Sequence, residues 1–102
     1  MDAIHASEFQ EIYEKEKDKL NLIDVRTPQE FASGHIPNAV NIDIMDQAFA
    51  EEIAKLPREK TYHVVCRSGN RSGSACGYME SIGFKDVINI AGGMLDWEGE
   101  TE

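Results

Sequence analysis

One short stretch of the chain places a cysteine among residues that favour a thiolate. This stretch is Cys66-Arg67-Ser68-Gly69-Asn70-Arg71-Ser72. The β-branched and aromatic run 62–65 before it is typical of a buried strand, and the pattern over 72–83 predicts a helix. Cys66 is therefore predicted at the end of a strand, close to a helix N-terminus whose free N–H groups favour an anion.

The loop after the cysteine also carries positive charge and residues suited to a tight turn. Arg67 and Arg71 supply two fixed charges, and Gly69 and Asn70 are residue types that tolerate positive φ. The loop amides can then curl inward into an anion-binding nest. The sequence shows no obvious general base, so the predicted chemistry is attack by a loop-activated Cys66 on a small anion. The alternative is a buried, inert cysteine beside an ordinary turn.

The other candidate side chains have simpler interpretations. Cys76 lies ten residues further on, inside the predicted helix, and is expected to fill the core; the alternative is a resolving thiol. His63 alternates with valines in a strand, and His35 lies in a turn, so both are interpreted as structural. No spacing of cysteines or histidines indicates a metal site.

The charge of the chain limits its partners. The net charge is −9, which argues against nucleic acid and anionic membranes. No carboxylate lies between Glu59 and Glu80, and charges beyond about 8 Å are screened at physiological salt, so the loop can remain locally positive. The sequence has no apolar run of the ~20 residues that span a bilayer. Its first residues lack a signal peptide's basic start and apolar stretch, so a cytoplasmic protein is expected.

Strand and helix patterns alternate along the 102 residues, which are expected to form one domain, 1–102, with a frayed acidic tail at 98–102. Capping boxes are predicted at 7–10 and 27–30, and a helix over 45–56. The remaining predicted elements are strands over 20–25, 39–42, 62–65 and 86–90, and helices ending near Ser33 and Trp97. This alternation predicts an open, mostly parallel sheet with helices on both faces. Cys66, Arg26 and the Gly92-Gly93 turn should then meet at one rim.

Several separate motifs resemble the single-domain rhodanese family, in the family's order and over nearly the whole chain. They are Leu22 to Phe31, Gly34 to Ala39, Cys66 to Ser72, Gly83-Phe84, and Gly92-Gly93 to Trp97. The resemblance implies an α/β, rhodanese-like three-layer sandwich around a five-stranded, mostly parallel sheet. Its first strand would lie near Ala3–His5.

The resemblance also implies a reaction. Cys66 would take a sulfur atom from a small anionic donor such as thiosulfate and pass it to cyanide or a thiol acceptor, a protein thiol included. The persulfide would be held by the amides of Arg67 to Ser72, with no organic cofactor or metal. Arg67 and Arg71 would orient the donor, and Asp24 and Arg26 would be framework residues near the rim.

Two alternatives remain. The first is a cysteine phosphatase or an arsenate reductase. The fold also resembles that of a group of cysteine phosphatases, whose signature has an arginine six positions after the cysteine, where its fork can embrace a phosphoryl group. Here that position is Ser72 and Arg71 comes one residue earlier, so the shorter loop favours a bare sulfur. The second alternative is a non-catalytic binding or regulatory module, for which a retained Cys66 would have no use.

Overall fold

Strands and helices alternate along the chain, and the computed structural model describes residues 2–102. In chain order the elements are β1 (Asp2–His5), α1 (Ala6–Glu16), a 3-10 turn (Lys17–Lys19), β2 (Leu22–Asp24), α2 (Pro28–Ala32), β3 (Val40–Asn41), α3 (Phe49–Ala54), β4 (Thr61–Val65), α4 (Asn70–Ser81), β5 (Asp86–Ala91) and α5 (Gly93–Asp96). Met1, which the expected domain includes, lies outside the described residues.

The five strands form one sheet in the order β1-β5-β4-β2-β3. Every neighbouring pair is parallel. The sheet predicted from the alternating pattern is therefore confirmed, and the strand expected near Ala3–His5 is β1. Because β4 lies in the middle, its carboxyl end opens onto the centre of one rim, where ligands of parallel sheets bind.

Buried side chains lie on both faces of this sheet. Along β4, Val64 and Val65 point to opposite faces, as successive strand residues must. Val64 belongs to one buried cluster together with Ile53 of α3 and Met79 of α4, whereas Val65 belongs to a second cluster together with Phe9 of α1. Helices therefore cover the sheet on two sides, which gives the three layers that were expected.

Two predicted helix starts are wrong, for local reasons. The Ser7 capping box does not form, because β1 runs directly into α1 and His5 becomes the N-cap, its ring accepting a hydrogen bond from the Ser7 amide. The helix expected from Met45 begins only at Phe49. Before it, the Asp43 side chain accepts a hydrogen bond from the Met45 amide at 2.9 Å, and the Asp46 side chain accepts one from the Ala48 amide at 2.7 Å. These bonds stabilise turns where a helix was expected.

The second predicted capping box is confirmed. Thr27 caps α2 by accepting the Glu30 amide, and the Glu30 carboxylate accepts the Thr27 amide at 3.1 Å. Pro28 takes the first helical position, where its missing N–H costs no hydrogen bond. This box fixes the Glu30 side chain at the start of α2, which becomes important at the site.

The acidic end of the chain is held against the turn after α2. The backbone N–H of Glu102 donates to the His35 carbonyl at 2.8 Å, and the His35 N–H donates back at 3.1 Å. Glu100 accepts hydrogen bonds from Lys17 and Tyr13, and its carbonyl accepts one from the Trp97 indole. The expectation of a frayed tail at 98–102 is therefore not met. Among the described residues no helix combines the length and the apolarity that crossing a membrane requires.

Candidate active site

Cys66 comes directly after the central strand β4, at the rim where the strands end. Only 1% of its surface is exposed. The chain then turns over the three residues 67–69 and enters α4 at Asn70, with Gly69 at the N-cap in the left-handed region at φ 106°. Asn70 was expected to share this conformation, but it is the first helical residue, so Gly69 alone makes the turn.

The loop directs hydrogen-bond donors at the cysteine sulfur. The Gly69 amide donates to Cys66 Sγ at 3.1 Å, and the Ser72 hydroxyl lies 3.3 Å from the same atom. No side chain caps α4, so its first N–H groups stay available to the sulfur. Burial raises the pKa of the Cys66 thiol, but donation from the Ser72 hydroxyl and from the amides of Ser72, Gly69 and Ser68 outweighs it and brings the pKa below its ordinary value.

The turn after β5 holds the other side of the loop. The amides of Met94 and Leu95 donate to the carbonyls of Cys66 and Arg67 at 2.9 and 3.0 Å. A side chain at Gly93 would collide with those two carbonyls, so only glycine allows this approach. The predicted meeting of this turn with Cys66 is confirmed, and it satisfies the loop's carbonyls away from the sulfur.

Arg71, which was expected to orient the donor together with Arg67, is paired with a carboxylate in the structure. Its guanidinium makes a two-pronged ion pair with Glu30, with Nη1–Oε1 at 2.7 Å and Nη2–Oε2 at 2.9 Å. Donation from Arg71 is the main cause that lowers the pKa of Glu30 to about 2, against the opposing effect of burial. The pair ties the first turn of α4 to the start of α2, so Arg71 holds the loop in place.

Arg67 is the loop's available positive charge. It is exposed and makes no ion pair with any residue between 2 and 102. Next to the rim, Asp24 and Arg26 form a buried ion pair at 2.8 Å, and the Arg26 guanidinium also donates to the Gly34 carbonyl at 2.8 Å. Of the two loop arginines, Arg67 is therefore the one without an ion-pair partner among residues 2–102.

The remaining candidates lie outside this arrangement. Cys76 is fully buried in the core, and burial together with nearby Glu80 raises its pKa to about 12. His63 packs its ring 5.0 Å from that of Phe9, and burial lowers its pKa. His35 stacks on Phe31 with ring centroids 3.7 Å apart. The structural interpretation of both histidines is confirmed.

Two residues at the site were missed from the sequence. Glu30 was assigned only to a capping box, although its carboxylate also pairs with Arg71. Asn89 on β5 contacts both Gly69 and Ser72, and no motif marked it. Strand positions beside a loop become visible only when the sheet register is known.

The whole arrangement has known counterparts. Residues 5–100 match the family of the Rhodanese-like domain. The chain belongs to the rhodanese family. It is 47% identical over 85 residues to the putative sulfurtransferase YtwF of Bacillus subtilis, which covers 83% of this chain and 80% of that protein. It is 43% identical over 76 residues to the thiosulfate sulfurtransferase GlpE of Pseudomonas savastanoi, 74% of this chain and 70% of that one.

The rhodanese fold is equally clear from solved structures. The crystal structure of SSP1007 from Staphylococcus saprophyticus superposes with a TM-score of 0.87 at 32% identity, over 100% of this chain and 99% of that chain. The predicted family and the predicted fold are therefore both confirmed.

The pairing of Glu30 with Arg71 should make stability depend on acid. Glu30→Gln keeps a side chain able to cap α2 but removes the charge. Because the pKa of Glu30 is lowered, the stabilisation is present above the ordinary value of 4.5 and is lost as the pH falls toward 2. Near neutral pH the variant should lose about 2 kcal/mol of unfolding free energy, with allowance for partial solvent screening.

Urea unfolding measured from neutral pH down into acid tests this. Glu52→Gln is the matched control, because Glu52 pairs with Lys55 on the open surface, where an ion pair contributes little. A deficit in Glu30→Gln that stays constant down to pH 2 would show that the pair is not its cause.

Proposed function

We propose that this rhodanese domain is a sulfurtransferase that moves a sulfane sulfur from an anionic donor such as thiosulfate to a nucleophilic acceptor, through a persulfide on Cys66. The observation that supports this most directly is the set of donors at Cys66 Sγ, which are N–H groups and one hydroxyl. No histidine or carboxylate hydrogen-bonds to that sulfur within residues 2–102. Such a site stabilises a sulfur anion without a general base.

In the loading step the Cys66 thiolate attacks the outer sulfur of thiosulfate. A bond forms between Cys66 Sγ and that outer sulfur, and the bond to the central sulfur breaks. Its electron pair leaves with the central sulfur as sulfite. The transferred sulfur then carries the negative charge, and the amides of Ser68, Gly69 and Ser72 are the nearest donors available to it.

In the discharge step an acceptor such as cyanide attacks the outer sulfur of the persulfide. The new bond joins carbon to sulfur, the sulfur–sulfur electron pair returns to Cys66 Sγ, and thiocyanate leaves. The enzyme is again a thiolate held by the same donors. A thiol acceptor would take the sulfur in the same way, because a persulfide places the reacting atom about 2 Å further out than Cys66 Sγ.

The loop residues take different roles in this proposal. Arg67 draws the anionic donor to the loop, because it is the exposed and unpaired cation there. Arg71 fixes the loop through Glu30. Asn70 starts the helix whose N-terminus faces the sulfur, and Ser72 gives its hydroxyl to Cys66.

The same contacts argue against phosphate chemistry. Ser72 stands where a phosphatase has its arginine, and Arg71 is engaged by Glu30. A phosphoryl group with three oxygens would lack the guanidinium fork that normally holds it. Cys66 is also only 1% exposed, so a small reactant reaches it most easily.

Mass spectrometry of the intact protein tests the persulfide. After incubation with thiosulfate, and removal of excess donor, the wild-type protein should gain the mass of one sulfur atom, and cyanide should remove it. Cys66→Ser should gain nothing, because serine cannot carry the sulfur. Cys76→Ser is the matched control and should load like wild type, since Cys76 is buried with a pKa raised to about 12.

A gain of sulfur by Cys66→Ser, or a sulfur found on Cys76 instead of Cys66, would contradict the assignment of the persulfide to Cys66. If the folded wild-type protein gains no sulfur from thiosulfate or from a small-molecule persulfide, the sulfurtransferase proposal is wrong, and the non-catalytic module is favoured.

A second experiment separates the donor-binding charge from the sulfur-holding amides. Arg67→Ala should slow loading from thiosulfate by roughly tenfold, since one charge-assisted contact is worth about 1.5 kcal/mol or more. Discharge of the preformed persulfide to cyanide should stay near the wild-type rate. Rapid mixing of the protein with each reactant in turn measures the two steps.

Lys60→Ala is the control, because it removes an exposed positive charge just before β4, at the opposite end of the strand. Both steps should be unchanged in it. An Arg67→Ala protein that loads normally but discharges slowly would mean that Arg67 acts on the acceptor.

A further inference from the structure

Asn89 lies on β5, beside the central strand, in register with Val64. Its side chain reaches across to the cysteine loop at two points. Asn89 Nδ2 donates to the Gly69 carbonyl at 3.2 Å, and Asn89 Oδ1 accepts a short hydrogen bond from the Ser72 hydroxyl. The same Ser72 oxygen lies 3.3 Å from Cys66 Sγ. Asn89 is therefore one hydroxyl away from the sulfur.

The Gly69 carbonyl decides which way the Asn89 amide faces. A carbonyl only accepts hydrogen bonds, so the NH₂ end of Asn89 must point to it and Oδ1 must point to Ser72. Asn89 Oδ1 also only accepts. The Ser72 hydroxyl has a single proton, so it cannot donate to Asn89 and to Cys66 at the same time.

The shared proton creates two arrangements. In the first, Cys66 is a thiol whose S–H donates to the Ser72 oxygen, and the Ser72 hydroxyl donates to Asn89. In the second, Cys66 is a thiolate, the Ser72 hydroxyl has turned to it, and Asn89 Oδ1 has lost its partner. We infer that Asn89 is a positioning residue that holds the Ser72 hydroxyl off the cysteine sulfur while that sulfur is neutral and releases it when the sulfur becomes an anion.

This role has a consequence that rests on the proposed sulfur transfer. In a persulfide the inner Cys66 sulfur is neutral, so the Ser72 hydroxyl donates its hydrogen bond to Asn89. When cyanide takes the outer sulfur, the sulfur–sulfur electron pair moves to Cys66 Sγ. The Ser72 hydroxyl then turns to that new anion, so donation to the leaving sulfur begins only as its charge appears.

The pH profile of Cys66 alkylation by iodoacetamide tests the inference without any sulfur transfer. In Asn89→Ala the thiol state loses the hydrogen bond from the Ser72 hydroxyl to Asn89, whereas the thiolate state has no such bond to lose. The midpoint of the profile should therefore move to lower pH. Below the midpoint the rate should rise about twofold to threefold, because the gain in thiolate is partly offset by its weaker nucleophilicity. Loosening of the loop through the lost bond to Gly69 would move the midpoint the other way.

A double-mutant cycle makes the test specific. Ser72→Ala alone should raise the midpoint, and adding Asn89→Ala to it should change nothing further, because the hydroxyl that links the two residues is gone. Asn21→Ala is the matched control, since Asn21 also donates to a backbone carbonyl, that of Thr61, but away from the loop. It should leave the profile unchanged.

Charged groups on the elements around the sulfur are kept in these variants: Arg67, Arg71, Glu30, Asp24, Arg26 and Asp96. A midpoint that rises or stays fixed in Asn89→Ala overturns the inference, as does an equal shift with and without the Ser72 hydroxyl.

If Asn89→Ala does not fold, Asn89→Asp replaces it. Its carboxylate accepts more strongly, so the midpoint should rise, and by less once Ser72 is alanine. An equal rise in both backgrounds overturns the inference. If the variants give the expected profiles but the wild-type protein never loads sulfur, the proposed function is wrong and the inference about Asn89 stands.

Discussion

A buried sulfur anion needs hydrogen-bond donors, and the cysteine loop is shaped to supply them. With Cys66 almost fully buried, water cannot solvate its charge, so the amides of the loop must do so. Because the N–H groups of the loop point inward, its carbonyls point outward. The amides of Met94 and Leu95 donate hydrogen bonds to the carbonyls of Cys66 and Arg67. The turn after β5 therefore supports the inward orientation of the loop amides, and it lies so close to the two carbonyls that Gly93 has no room for a side chain.

Charge is arranged around the loop in two different ways. The chain carries a net charge of −9, yet the carboxylate that contacts the loop arginine Arg71, that of Glu30, forms an ion pair with it. The Thr27 capping box holds Glu30 in place from the other side, so one carboxylate joins the start of α2 to the start of α4. Arg67 is left exposed and without an ion-pair partner among the described residues, which is why the proposal gives it the anionic donor. The two arginines therefore differ in the structure, although the sequence presents them as equivalent.

Much of the fold could be predicted because the signals for it are local. Val64 and Val65 mark a buried strand, Pro28 and Glu30 mark a helix start, and glycines mark the turns at the rim. The helix expected from Met45 failed because Asp43 and Asp46 bind nearby amides, and local hydrogen bonds of that kind override an apolar stripe.

The site was less predictable because its partners are distant in sequence. Cys66 and the donors of its own loop could be assigned, since they are adjacent along the chain. The pairing of Arg71 with Glu30 joins residues 41 positions apart, and the link from Ser72 to Asn89 spans 17. The attachment of residues 98–102 depends on two backbone hydrogen bonds between His35 and Glu102, which the amino-acid composition does not predict.

Hydrogen-bond donors of the loop, rather than any property of the cysteine side chain alone, lower the pKa of Cys66. Alkylation of the native protein over a range of pH, with mass-spectrometric mapping of both cysteines, measures this, because Cys76 is an internal reference in the same molecule. Cys66 should react with a midpoint below that of an ordinary thiol, and Cys76, whose pKa is raised to about 12, should stay protected until the protein unfolds. Equal reaction of the two cysteines at every pH would show that the loop does not activate Cys66.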